Sequence, residues 1–147
     1  MRGNAWHITI LMFKPIQTVR EKMKTIIFSK KAAKPIGPYS QAVLAGKFLF
    51  ISGQLAIDPK EGKIVAENVT QQTKQVMENI NAILEAAGYN LKDIVQSNVY
   101  LQSMSLFDDF NREYAKSFDE EFPARLTVCE ELKGNALIEV SVVAYKD

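Results

Sequence analysis

Between residues 69 and 87 the apolar side chains recur with a helical period: Val69, Val76, Ile80, Ile83, Leu84 and Ala87 fall on one stripe. Asn68, with Gln71 three residues later, resembles a capping box, and Gly88 supplies a stop. Such a helix must lay its stripe on another layer, and the flanking sequence offers strands. Lys24–Phe28, Ser40–Ala45 and Phe48–Gly53 precede it, and Ile94–Leu101 follows. A second helix is predicted over Leu106–Phe118, where Leu106, Phe110, Tyr114 and Phe118 keep helical spacing; strands at Ala124–Cys129 and about Ala136–Ala144 close the chain. The order β-β-β-α-β-α-β-β predicts an α+β two-layer sandwich. It has a mixed sheet, both helices on one face and one right-handed crossover with parallel pairing.

Two helices cover only one side of such a sheet. Tyr100, Leu101, Val140, Val142 and Val143 suggest that the other side is not uniformly polar, so a cyclic oligomer is expected. The run Phe48–Gly53 is nearly continuous in apolar residues, as in a strand covered on both faces. With 47% hydrophobic and 24% charged residues, the chain is not an intrinsically disordered one. Cys129 is the sole cysteine, which excludes an intrachain disulfide and makes the reducing cytosol the natural compartment. The sole histidine, His7, excludes a His triad or a His-based zinc site in the body. A net charge of +1 gives no electrostatic case for tight nucleic-acid binding, and no window is long enough to span a bilayer.

Residues 1–22 differ from the rest. They hold Arg2, Lys14, Arg20 and Lys22 against Glu21 alone, which leaves the body mildly acidic. An organellar targeting peptide is one reading, but the stretch is poor in Ser and Arg. The expectation is an N-terminal extension over 1–22 and a single domain over 23–147, where regular patterning begins.

Glycine-rich phosphate loops, GxSxG, paired-cysteine zinc motifs and HExxH are all missing from the sequence. The segment Phe122-Pro123-Ala124-Arg125-Leu126-Thr127-Val128-Cys129 stands out instead. Period-2 alternation places Arg125, Thr127 and Cys129 on one face and Ala124, Leu126 and Val128 on the other. An arginine within an apolar strand calls for an anion. Pattern alone favours a structural bridge to Glu139 or another acid. Glu139 is as consistent with a solvated edge charge as with a catalytic group, Tyr39 and Ser52 with satisfied hydroxyls, and Asn111 with a surface amide.

Together these residues resemble a known family. Gly37-Pro38-Tyr39-Ser40-Gln41, Ile51-Ser52-Gly53-Gln54, Glu85-Ala86-Ala87-Gly88, Val99-Tyr100-Leu101, Phe122-Pro123-Ala124-Arg125 and Ile138-Glu139-Val140 occur in the order and spacing of the reactive intermediate deaminase (Rid) family. It is also known as the YjgF-type or translation-inhibitor/perchloric-acid-soluble protein family. The resemblance runs from Met23 to Asp147. It implies a chorismate-mutase-like fold and a homotrimer with clefts between subunits. It also implies hydrolysis of reactive 2-imino and enamine acids to 2-keto acids and ammonia, with no cofactor or metal. Arg125 would grip the substrate carboxylate and Glu139 would orient or activate the attacking water. Tyr39, Ser52, Asn111 and Thr127 would line the cleft and bind substrate. The deaminating members usually carry Cys two residues after that arginine, a position whose role is largely through its backbone; here it is Thr127, which leaves the substrate range open.

Two other function classes compete. RNA cleavage or translation inhibition, ascribed to some relatives, is opposed by the mildly acidic body and the missing histidines. A keto-acid- or amino-acid-sensing or chaperone-like trimer would share Arg125 but would not require Glu139 as a water-activating group. Deleting residues 1–22 is expected to leave fold, oligomer and activity intact; a large fall in melting temperature on truncation would show that the extension packs on the domain.

Overall fold

The computed structural model describes residues 23–147, so the expectations for residues 1–22 lie outside the described residues. β1 (Thr25–Ile27), β2 (Ala42–Ala45) and β3 (Phe48–Leu55) form an antiparallel meander. α1 (Val69–Ala86) leads to β4 (Ile94–Leu101), α2 (Phe107–Ala115) leads to β5 (Ala124–Cys129), and β6 (Ile138–Tyr145) follows. The strands make one six-stranded sheet in the order β1-β2-β3-β6-β4-β5. Only β4 and β5 pair in parallel, across α2, and this is the crossover that the strand–helix–strand pattern predicts. The α+β sandwich with a mixed sheet and two helices is the observed fold. Among the described residues, no helix is long and apolar enough to cross a membrane.

The ends of α1 follow from local chemistry. Asn68 accepts a hydrogen bond from the Gln71 amide at 2.9 Å, the first half of a capping box. Gly88, at φ +78°, takes the left-handed conformation that stops the helix. α2 ends at Ala115, earlier than the predicted Phe118, and Phe118 still packs on the Tyr114 ring at a centroid distance of 4.9 Å. The stripe of α1, with Val76, Ile80, Ile83 and Leu84 fully buried, meets Leu49 and Ile51 of β3 and Val140, Val142 and Ala144 of β6 in one core.

The pleat corrects one expectation about the sheet. Leu101, Val140 and Val142 lie in the core under the helices, and Tyr100 and Val143 face the other way. Neighbours along a strand point to opposite sides, so the five could not share a face. The open face instead carries Ile26, Phe48, Phe50 and Leu126, at 52%, 44%, 48% and 55% exposure. Consequently β3, predicted to be covered on both faces, is covered on one within the single chain.

Buried amides stitch the loops to these layers. Gln41 accepts from the Ser29 amide at 2.6 Å and donates to the carbonyls of Ser29 at 3.1 Å and Ala33 at 2.8 Å. Gln72 of α1 accepts from the Leu137 amide at 2.8 Å and donates to the Asn135 carbonyl at 3.0 Å, which ties the helix to the approach of β6. An apolar side chain at either position would leave buried backbone groups without partners. Gln41→Leu is expected to cost about 2–4 kcal/mol in chemical denaturation, since three backbone groups lose a partner at once; a loss below about 0.5 kcal/mol would show that water replaces the amide.

Candidate functional site

The motif residues fall into two groups on opposite sides of the sheet. On the helix side, β5 pairs with β4 so that Arg125 lies beside Ser97 and Thr127 beside Val99. Arg125, Thr127 and Cys129 share this face, as the alternation predicts. The Arg125 guanidinium lies over the rings of Phe107, Phe110 and Tyr114, with its carbon 5.7, 5.3 and 5.1 Å from their centroids. A cavity of about 380 Å³ opens beside it, lined by Asn111, Tyr114, Ala115, Phe122, Pro123 and Arg125. Among the described residues no carboxylate approaches Arg125 within ion-pair distance. The structural bridge to Glu139 that the pattern favoured is therefore not formed within the chain, because Glu139 belongs to the other face. The Thr127 hydroxyl is buried without a hydrogen-bond partner.

On the open side the geometry is set by a bulge in β3. Ile51 pairs with Val142 and Gln54 with Val140, so Ser52 and Gly53 together stand opposite Ser141. Hydrogen bonds hold this kink: the Ser52 hydroxyl donates to the Ser40 carbonyl at 2.7 Å, the Ser52 backbone amide to the Gln41 carbonyl at 3.0 Å, and the Gln54 side-chain amide to the Ser52 carbonyl at 3.0 Å. Ser52 thereby binds the bulge to the Gly37–Gln41 loop. In that loop the Tyr39 hydroxyl accepts from the Ile36 amide at 3.2 Å, and the ring lines a narrow cleft that also includes Gly53.

Gly53 is the residue whose part was not legible in sequence. A Cβ built there would sit 1.8 Å from Glu139 Oε1, so the missing side chain is the space the carboxylate occupies. Glu139 lines a hollow of about 320 Å³ with Gly53, Tyr100, Glu130, Glu131, Leu132 and Ser141. Burial pushes its carboxyl above the usual carboxylate range. Protonation is thus favoured by folding; the associated stabilisation is present below the unfolded-state value and is lost as pH rises through the folded one. The motif match at Ser52-Gly53-Gln54 contained the only sequence signal for this role.

A larger groove of about 720 Å³, lined by residues including Asn81, Lys92, Phe118 and Asp119, contains none of the motif residues. Among the described residues, no group of three or more Asp, Glu, His or Cys side chains is arranged to hold a metal ion. The chemistry on offer is an exposed guanidinium with no ion-pair partner among the described residues on one face and a half-buried carboxylate on the other. Gly53→Ala is expected to push the Glu139 carboxylate toward solvent and lower its pKa toward the ordinary value; a carbon-13 NMR titration of the Glu139 carboxyl, unchanged in the variant, would refute this.

Comparison with known proteins bears on the family and the fold. The family model described as Endoribonuclease L-PSP matches residues 29–146. A RutC family protein of Pyrococcus horikoshii is 53% identical over 126 residues, which cover 85% of this chain and 100% of the relative. The human 2-iminobutanoate/2-iminopropanoate deaminase is 37% identical over 125 residues, covering 84% of this chain and 91% of the relative. The crystal structure of E. coli TdcF with bound serine matches with a TM-score of 0.80 at 33% identity, over 84% of this chain and 99% of that one. The fold, the motifs and a match over nearly the whole described domain lead to one conclusion: the chain belongs to the Rid family, which the Endoribonuclease L-PSP model describes.

Proposed function

We propose that the protein hydrolyses reactive 2-imino and enamine acids to 2-keto acids and ammonia. The observation that carries this reading is the pair of charged groups left without protein partners: Arg125, which has no carboxylate near it, and Glu139, whose carboxyl is desolvated in a space opened by Gly53. A guanidinium free of intramolecular acids is suited to a bidentate grip on a substrate carboxylate. A carboxylate whose pKa is raised is a stronger base than an exposed glutamate. The names of relatives agree: one is called an imine deaminase, and another is described with bound serine, a small molecule that also carries a carboxylate.

The chemistry needs little beyond positioning. An enamine first tautomerises to the imine, whose protonated C=N carbon is already electrophilic. Water held by Glu139 adds to that carbon, forming the C–O bond while Glu139 takes the proton. The proton returns to nitrogen; the hydroxyl oxygen's lone pair then forms C=O as the C–N bond breaks. Glu139 takes the hydroxyl proton and passes it to the departing ammonia, and the 2-keto acid remains on Arg125. Each atom and proton is accounted for without a cofactor. Asn111 lines the cavity beside Arg125, and Tyr39 and Ser52 shape the opposite half.

Because the two halves occupy opposite faces of one sheet, a single chain does not bring Arg125 to Glu139. We therefore assign the complete site to a cleft between subunits of a homotrimer, which would also cover Phe48, Phe50 and Leu126. RNA cleavage, which the family model's description names, fits less well: the body lacks histidine and is mildly acidic.

Arg125→Ala is expected to abolish keto-acid release in an assay coupled to an imine-producing dehydratase, and Arg125→Lys to cost about tenfold or more, because the planar fork is lost. Glu139→Gln should lower kcat and spare keto-acid binding. Activity of the unaltered protein should rise with pH through the elevated Glu139 pKa, and that acidic limb should vanish in Glu139→Gln. Normal turnover and keto-acid affinity in Arg125→Ala would end the proposal. Light scattering that gave a monomer mass at micromolar concentration would remove the shared cleft.

A further inference from the structure

We infer that the aromatic face of α2 is a positioning shelf for Arg125: Phe107, Phe110 and Tyr114 hold the guanidinium flat and leave its N–H fork free for a carboxylate. The inference rests on the proposed role of Arg125 and goes beyond it, since it assigns residues that no motif marks.

The spacing makes the shelf. Positions 107, 110 and 114 are one and two turns apart on α2, so their side chains lie along one helix face. Phe107 meets Phe110 edge to face at 6.1 Å between centroids, and Phe110 meets Tyr114 at 5.4 Å, tilted. The row continues through Phe118, 4.9 Å from Tyr114, to Phe122, 6.0 Å further on. Phe110 and Tyr114 are buried, and Phe107 is half-buried at the outer end.

Arg125 reaches this row from β5. Its guanidinium carbon lies within 6 Å of three ring centroids, inside the range of cation–π attraction. Among the described residues the side chain makes no ion pair, so ring faces are what hold it. That difference matters chemically. A carboxylate partner would occupy the same N–H groups that a substrate needs, whereas a π face attracts the cation without accepting from those donors. The shelf therefore restrains a side chain with four rotatable bonds and leaves its N–H groups open to solvent, which lowers the ordering cost when an anion binds.

The shelf is also tied to the strand beside Arg125. The Tyr114 hydroxyl donates to Ser97 Oγ at 2.8 Å, both groups buried, and Ser97 is the β4 residue in register with Arg125. One hydrogen bond thus sets the distance between helix and strand at the position where the guanidinium crosses.

The test uses full-length protein and three substitutions: Phe107→Leu, which removes the outermost π face at similar volume; Phe107→Trp, which restores one; and Ser97→Ala, which cuts the tether without touching the helix. Titration with 2-oxobutanoate gives product affinity, the coupled assay gives KM and kcat, and the Arg125 Nε–H order parameter reports side-chain ordering. In Phe107→Leu, Kd and KM should rise about three- to tenfold with kcat within about twofold, and the order parameter should fall. Phe107→Trp should restore affinity and order, and Ser97→Ala should shift both in the direction of Phe107→Leu. Unchanged Kd and Arg125 ordering in Phe107→Leu, or equal losses in Phe107→Leu and Phe107→Trp, would overturn the shelf. If Phe107→Leu does not fold, Ser97→Ala decides, with an unchanged Kd and order parameter counting against the shelf. Absence of 2-oxobutanoate binding and turnover in the unaltered protein would instead overturn the proposed function, and the Nε–H ordering would still judge the shelf.

Discussion

The antiparallel pairing of β6 with both β3 and β4 sets the facing of most side chains in the molecule. β6 is inserted between two strands that the chain lays down much earlier, so its register is imposed from both sides. Ile138, Val140, Val142 and Ala144 then point into the core, and Glu139, Ser141, Val143 and Tyr145 point away. A one-residue slip would exchange the two sets, putting a carboxylate under α1 and four apolar residues in water. The strand that completes the core is thus also the strand that aims Glu139. Its pairings are long-range, so neither the core nor the Glu139 hollow is complete until the last part of the domain has arrived.

Two faces with different covers explain how one sheet holds the two unlike groups of the proposed site. Under the helices, aromatic rings from α2 receive the Arg125 side chain; on the bare side, a bulge and a glycine receive the Glu139 carboxylate. The bulge has a plain geometric effect. Two residues against one kink β3, direct Ser52 toward the Gly37–Gln41 loop, and leave Gly53 where any side chain would strike Glu139. Apolar residues exposed on that same face are the physical ground for proposing that a neighbouring subunit closes it.

The Glu139 carboxyl is not placed for greatest stability, since it would ionise more readily in water. Buried side-chain amides elsewhere are satisfied: Gln41, Gln72 and Asn79 each bond backbone groups distant in sequence. Among the described residues the half-buried Glu139 carboxyl and the unpartnered Thr127 hydroxyl depart from this pattern, and both lie on strands that carry the proposed site.

What the chain determines by itself is local. Periodicity marked α1 from Val69, the Asn68 cap and the Gly88 stop, because these depend on neighbours within one or two turns. Alternation placed Arg125, Thr127 and Cys129 on a shared face for the same reason. The resemblance to the Rid family pointed to Tyr39, Ser52, Asn111, Arg125 and Glu139 together. Tertiary structure decided the rest. A period of two says that Tyr100 and Leu101 point apart, but not which of them meets the helices, so the expected open face included core residues. The room Gly53 gives Glu139, the rings beneath Arg125 and the separation of Arg125 from Glu139 across the sheet all require strand register. That register comes from pairings between distant segments, and no local pattern encodes it.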